Sequence, residues 1–214
     1  MRRWRLVDSV PSGISSQMEL DRQLFEAFIQ NPETHPALRI FQVSEPGISL
    51  GRLSRARTGE GSRHDLSTCV RPTGGGRVEH GNDLIYSVMA RRDSYSTFHQ
   101  VRTSYLSFHE ALQTAFRALG VETELFRCDD SNARRNSKLP PGLEDCFKKP
   151  VPTDLQWKRR KIAGGAQWRR REGFLHQGSV QLVDGINYDR LKNALIRAFE
   201  EKFGIEFEKI PAVR

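Results

Sequence analysis

An α+β fold is predicted for this chain by three observations. Three stretches repeat apolar residues at the three- and four-residue spacing of amphipathic helices. Several short runs have the apolar, β-branched character of strands. Those runs cluster in hairpin-like pairs instead of alternating strictly with the helices, which argues against a doubly wound parallel sheet.

The elements follow in order. A strand is expected at 5–10. The first helix opens on a capping box, Ser16-x-x-Glu19, and carries Met18, Leu24, Phe25, Phe28 and Ile29 along one face. Strands follow at 38–43, 68–71 and 84–90. The second helix opens on Thr97-x-x-Gln100 and runs through Val101, Tyr105, Phe108, Leu112, Ala115 and Leu119 to a stop at Gly120. Further strands are expected at 121–126, 161–167 and 174–183. The third helix spans about 188–203, with Leu191, Leu195, Ala198 and Phe199 inward and Gly204 closing it, and a strand at 205–208 ends the pattern. The connections 51–66 and 127–160 exceed the usual loop length of about 4–6 residues, and loops this long commonly form lids or binding loops. The second holds Pro140, Pro141, Pro150 and Pro152, which stiffen it.

At 214 residues, with 37% hydrophobic and 28% charged residues, the chain has the make-up of a globular protein with one substantial core. One domain, 1–214, is expected. No apolar run approaches the roughly 18 residues of a membrane span. Asp8 and Pro11 interrupt any apolar segment near the start, so no secretory signal is read. Three cysteines (Cys69, Cys128 and Cys146) form no close pair, which points to reduced thiols and a cytoplasmic setting. Cysteines and histidines nowhere show ligand spacing, so no metal is predicted. Cys69 and Cys128 read as ordinary thiols, and His35, His64, His99 and His109 suggest no role.

The net charge of +8 is unevenly spread. Residues 131–171 hold twelve Lys/Arg against Glu144, Asp145 and Asp154, a balance of +9, which leaves −1 for the rest. Such a run is either a solvated rim or a surface that steers an acidic partner. Nucleic acid is the usual partner of such a patch, but no helix-turn-helix, zinc-finger or RNA-binding signature accompanies it.

Two segments could carry chemistry. Arg71-Pro72-Thr73-Gly74-Gly75-Gly76-Arg77 lies between strand-like runs; its glycines bare backbone N–H groups, although Gly-Gly is first of all a turn. The second, LEDCFKKPVPTDLQWKRRKIAGGAQ, sets Cys146 in the proline-rich loop and Lys161 at the head of an apolar, glycine-interrupted strand. A thiolate is a good nucleophile toward a thioester, and an ammonium stabilises both a thiolate and an oxyanion.

Together, RPTGGGRVEHGNDLIYSV (71–88) and the KIAGGAQ segment running to Leu182 resemble the two signatures of the lipoate–protein ligase, octanoyltransferase and biotin–protein ligase superfamily. Cys146-Phe147, Pro150 and Asp154-Leu155 ahead of Lys161 resemble its cysteine-dependent protein N-octanoyltransferases. The resemblance implies a curved mixed sheet of the class II synthetase and biotin–lipoate ligase type, packed by about three main helices.

It also implies a function. Cys146 would take an octanoyl group from an acyl carrier protein thioester and pass it to a lysine of a lipoyl carrier domain, of the glycine cleavage H protein or 2-oxoacid dehydrogenase E2 type. Lys161 would be the second catalytic residue. Arg71, Thr73, Gly74, Gly75, Gly76, His80, Gly164, Gly165 and Ala166 would bind substrate, with no cofactor, no membrane and no nucleic acid involved. An ATP-dependent lipoate ligase with the same pocket, or a basic nucleic-acid-binding protein of similar fold, are the alternatives. The chain departs from the family at Gly51-Arg52-Leu53-Ser54-Arg55, where ligases show Gly-Arg-x-Gln-Asn. It departs again at His176-Gln177-Gly178-Ser179, where the cysteine transferases read Gln-His-Gly-Ser. A strand alternates faces at each residue, so this swap turns the imidazole away from the side used by the transferases and excludes His176 from a direct role.

Overall fold

The computed structural model describes residues 1–53, 66–127 and 152–213. The chain order is β1 (Arg2–Ser9), α1 (Ile14–Gln30), β2 (Ala37–Phe41), β3 (Gly47–Gly51), β4 (Ser67–Arg71), β5 (Arg77–His80), β6 (Asp83–Ala90), α2 (Val101–Ala118), β7 (Glu124–Leu125), β8 (Leu155–Trp157), β9 (Arg160–Arg169), β10 (Phe174–Gln181), α3 (Tyr188–Phe203) and β11 (Ile205–Val213).

Eight strands form one mixed sheet in the order β11-β1-β2-β6-β10-β9-β8-β7, and β4-β3-β5 form a second, smaller one. β1 runs parallel to both β11 and β2, whereas β2, β6, β10, β9, β8 and β7 pair antiparallel in turn. The α+β expectation holds.

Alternation along the central strands explains how both faces are buried. Leu84, Tyr86, Val88 and Ala90 of β6 join Phe108, Leu112, Ala115 and Phe116 of α2 and Leu191, Leu195 and Phe199 of α3 in the main core. The intervening Ile85 and Met89 meet Ile14, Met18, Phe25 and Phe28 of α1 on the opposite face. Every residue of β6 is therefore buried.

The helices lie where periodicity put them, but two caps differ. α1 begins at Ile14 after Gly13, so Ser16 is already inside the helix and caps nothing. Thr97 sits in a short 3₁₀ turn (Ser96–Phe98), and Gln100 takes the N-cap position of α2 without a side-chain cap. α3 is capped by the Asn187 side chain and ends on left-handed Gly204. Three strands went unread: β5 and β8, which are short, and β3, in which two of five residues are glycine. The expected loop 127–160 is thus interrupted by β8, and of the strand expected at 121–126 only Glu124–Leu125 pairs.

Candidate functional site

Lys161 enters the site through an irregularity in its strand. β8 and β9 pair Leu155 with Ala163 but Gln156 with Lys161, leaving Ile162 as an extra residue, a β-bulge. On a regular ladder, residues three apart face opposite sides. The bulge reverses this and brings the Lys161 ammonium to the side on which Gly164 has no Cβ. A methyl group on Gly164 would lie 2.6 Å from Lys161 Cε and 2.7 Å from Nζ. Nζ also reaches Asp154 Oδ2 at 2.7 Å, with both side chains almost fully buried.

Asp154 is itself held by strained backbone. The preceding Thr153 has φ of 82°, a left-handed conformation that is uncommon for a β-branched residue. Its N–H donates to the Phe126 carbonyl at 2.9 Å. Its carbonyl accepts from His109 Nδ1 of α2 at 2.5 Å. Burial holds His109 below the ordinary histidine range, so the ring is neutral, and its Nε2 has no hydrogen-bond partner among the described residues. His109 thus anchors the residue before Asp154, a placement that its position on the apolar face of α2 only hints at.

The Gly164–Gly165 step gives space to protein groups. A Cβ on Gly165 would lie 2.5 Å from His176 Cε1. The His176 ring packs between Phe108 and Tyr105 and hydrogen-bonds Tyr86 Oη at 3.1 Å. Burial drives its pKa well below the usual value, and neighbouring His109 adds to the shift. Tyr105 beside it is pushed up to about 12, chiefly by burial. His176 is a neutral packing residue beneath the strand.

The glycine segment is shaped from within by Arg71. Its Nε and Nη2 donate to Gly74 O at 3.1 and 2.6 Å, Nη2 also to Gly76 O at 2.9 Å, and Nη1 to Ser49 O and Oγ at 3.0 and 3.1 Å. Every N–H direction of the guanidinium meets a protein acceptor, which makes Arg71 the former of this loop. Gly75 takes a φ of 88°, and its carbonyl lies so near Gly51 that a Cβ there would be 1.9 Å away. Gly74 has open space where a Cβ would stand, with nothing within 4 Å among the described residues.

His80 is also buttressed. Its Nε2 lies 2.8 Å from Ser49 Oγ and its Nδ1 2.8 Å from Asp83 Oδ2, which also accepts from Ser179 Oγ at 2.6 Å. The Asp83 carboxylate can only accept, so His80 donates from Nδ1, while Ser49 Oγ bridges His80 Nε2 and Arg71 Nη1. A buried chain runs from Asp83 through His80 and Ser49 to Arg71 and the glycine loop.

Thr73 is fully buried and latches the loop to β10: its Oγ1 donates to Gln177 Oε1 at 2.7 Å. Gln177 pairs across the ladder with Ala166, so the two sequence segments meet on one strand residue. Gln177 Nε2 donates to Asp21 Oδ2 at 2.6 Å, and Asp21 Oδ1 accepts from Arg39 Nη1 and Ser87 Oγ, each at 2.8 Å. Sequence reasoning missed this network, although Asp21 interrupts the apolar stripe of α1 and Arg39 the apolar run of β2.

Cys146 and Cys128 lie outside the described residues. Cys69 packs against Ile14, Met18, Phe41 and Ile85, and burial pushes its thiol up, which fits an unreactive small hydrophobe. Of the basic run, Arg169 turns inward: it donates to Gln167 Oε1 at 2.8 Å and to the Phe98 carbonyl, and stacks over Phe174. Arg170 and Arg52 both lie over the Trp168 ring, at 4.8 and 5.3 Å from its centroid.

Residues 14–210 match the lipoyl protein ligase A/B catalytic domain. The chain belongs to that family. It is 24% identical to an octanoyltransferase LipM of Oceanobacillus iheyensis, over 97% of this chain and 88% of the relative. It is 31% identical to the LipM of Moorella thermoacetica, over 84% of this chain and 65% of the relative. Octanoyl transfer, an acyltransferase activity, is what these relatives are named for. Among solved structures, lipoate-protein ligase A bound with ATP superposes with a TM-score of 0.75 at 20% identity, over 100% of this chain and 90% of that one. A bi-partite lipoate protein ligase of Thermoplasma acidophilum, studied with its E2 lipoyl domain, superposes at 0.71 with 18% identity, over 100% of this chain and 88% of that one. These likenesses fix the fold as that of the lipoate ligases. No helix among the described residues is long and apolar enough to cross a membrane, and no group of three His, Cys, Asp or Glu among them could hold a metal ion.

Proposed function

We propose that the protein is an octanoyltransferase that acylates a lysine of a lipoyl carrier domain, taking the acyl group from an acyl carrier protein thioester through Cys146. The observation that carries the reading is the buried Lys161 ammonium, held by Asp154 over the bare backbone of Gly164. Such a site offers a fixed positive charge to an acyl carbonyl that becomes negative in the transition state, and in a site with little water that charge counts for more. Family membership and the names of the relatives support the reaction class.

In the first step the Cys146 thiolate attacks the thioester carbonyl, a new C–S bond forms as the carrier's C–S bond breaks, and the carrier sulfur leaves as a thiolate that takes a proton from water. In the second, the neutral amine of the acceptor lysine attacks the acyl-enzyme; an amide forms, the Cys146 C–S bond breaks to release the thiolate, and the amine's N–H proton passes to water. An unperturbed thiol has a pKa near ~8.5, so a cation beside Cys146 raises the reactive fraction at neutral pH. Gly74, the open glycine, lies where a ligand can approach the main chain. Arg71, Thr73 and His80 hold that loop in shape, and Gly165 and Ala166 form the strand behind it.

The test is intact mass spectrometry after incubation with octanoyl-acyl carrier protein in the absence of ATP. One octanoyl adduct is expected, mapped to Cys146 and abolished in Cys146→Ala. An adduct on Cys69 or Cys128, or none, sinks the mechanism. Carrier modification by Cys146→Ala supplied with free octanoate and Mg·ATP would make the protein a ligase instead.

A further inference from the structure

The turn between β8 and β9 is built from the wrong residues for its geometry. Trp157 pairs with Arg160, so Lys158 and Arg159 are the two central residues of a tight hairpin, with φ of 48° and 63°. Two-residue turns with both φ values positive are the province of Asn-Gly, because a Cβ crowds the backbone in this conformation. Here both positions carry long cationic side chains, and both are exposed.

The fold gains little from these charges. Among the described residues no carboxylate lies within ion-pair distance of Lys158, Arg159 or Arg160. Lys158 lies over one face of the Trp157 ring, 4.2 Å from its centroid. Backbone strain that brings no ion pair among the described residues points to a use outside the chain. The position says where: Arg159 stands two residues from Lys161, about 7 Å of strand.

We propose that the Lys158–Arg159 turn is a docking point for the acceptor carrier domain and meets acidic side chains beside the lysine to be acylated. The proposal rests on the transferase reading for the identity of the partner. Delivery of the acceptor lysine to a carbonyl at Lys161 brings the acceptor surface within reach of this turn. Two cations there steer and hold a complementary surface in a manner that salt screens.

The test uses the full chain and an unmodified lipoyl carrier domain, with binding read by fluorescence anisotropy at low and high salt. Two double variants separate charge from strain: Lys158→Gln with Arg159→Gln, and Lys158→Asn with Arg159→Gly. Both should bind the domain at least about fivefold more weakly at low salt, with the deficit shrinking at high salt. The Asn–Gly variant should also gain about 2–4 °C in Tm as strain is relieved. Undiminished affinity in both variants would overturn the proposal and leave a strained turn without a partner. A loss confined to acyl carrier protein, or wild-type binding to nucleic acid tighter than to the domain and lost in the variants, would overturn it in favour of those partners. Binding is read without turnover. A wild type that docks the domain through this turn yet transfers no octanoyl group refutes the transferase reading and leaves the docking point standing.

Discussion

Lys161 Nζ lies 2.7 Å from Asp154 Oδ2, with only 6% and 3% of the two side chains exposed. A buried pair of this kind is a costly way to stabilise a fold, because desolvation of two charges offsets most of their attraction. Its geometry is also costly to build: a bulge in β9, a glycine at 164 and left-handed backbone at Thr153 all serve it. Such an arrangement makes sense as a site for chemistry.

Removing one charge should cost both stability and activity. Asp154→Asn keeps the shape but leaves the ammonium without its carboxylate, and a loss on the order of 3 kcal/mol is expected from denaturant unfolding. The double variant Asp154→Leu with Lys161→Met should be more stable than either single variant, yet inactive. Additive losses in the double variant would show that the charges are not coupled.

The two glycines of β9 should respond differently to alanine. In Gly164→Ala the new methyl meets the flexible end of Lys161, which can move, so folding should survive while transfer falls by at least about tenfold. In Gly165→Ala the methyl meets the His176 ring, which is locked between Phe108 and Tyr105. Overpacking there should cost about 1–3 kcal/mol. Thermal melts alongside kcat would check the contrast; equal stability losses would refute it.

The Asp21 network should set the order of the glycine loop. Asp21→Ala strips Arg39 of its buried partner and frees Gln177, which orients Thr73. A destabilisation of about 3–5 kcal/mol is expected. Hydrogen exchange at 73–76 should accelerate more than in α3, which lies on the other face of the sheet. Uniform acceleration would show that the network stabilises the fold without specifically holding the loop.

Stability should fall as pH drops below about 6.5. Burial holds His176 and His109 neutral in the folded protein, whereas in the unfolded chain each takes a proton near the ordinary histidine value of about 6.5. Between that value and the lower folded one the unfolded state binds more protons, so stability increases with pH there and levels off above it. The slope is at most about 1.4 kcal/mol per pH unit for each histidine. His176→Gln should remove its share of the slope, as read from urea midpoints at pH 5 to 8; an unchanged slope would show that His176 is not buried neutral.

Local pattern located the three helices because each carries enough turns for its apolar stripe to repeat. It failed at Ser16 and Thr97, where the capping motif was present but the chain entered the helix at another residue, Gly13 and Gln100 respectively. Helix entry is decided by what the first turn packs against, which a four-residue motif does not contain. β3 was missed because two of its five residues are glycine, and β8 because three residues are too few to show alternation.

The sequence by itself determined the α+β class, the helices and the two segments that carry the family signatures, since these rest on periodicity and on residues close together in the chain. Only the tertiary structure decided what those residues meet. It placed Lys161 against Gly164 and Asp154 through a bulge, latched Thr73 to Gln177 across the fold, and gave Arg71 and His80 hydrogen bonds to neighbouring protein groups. The physical reason is register. A one-residue shift in a strand ladder exchanges its faces, and the shift at Ile162 is set by the pairing of β8 with β9 rather than by any pattern within β9 alone.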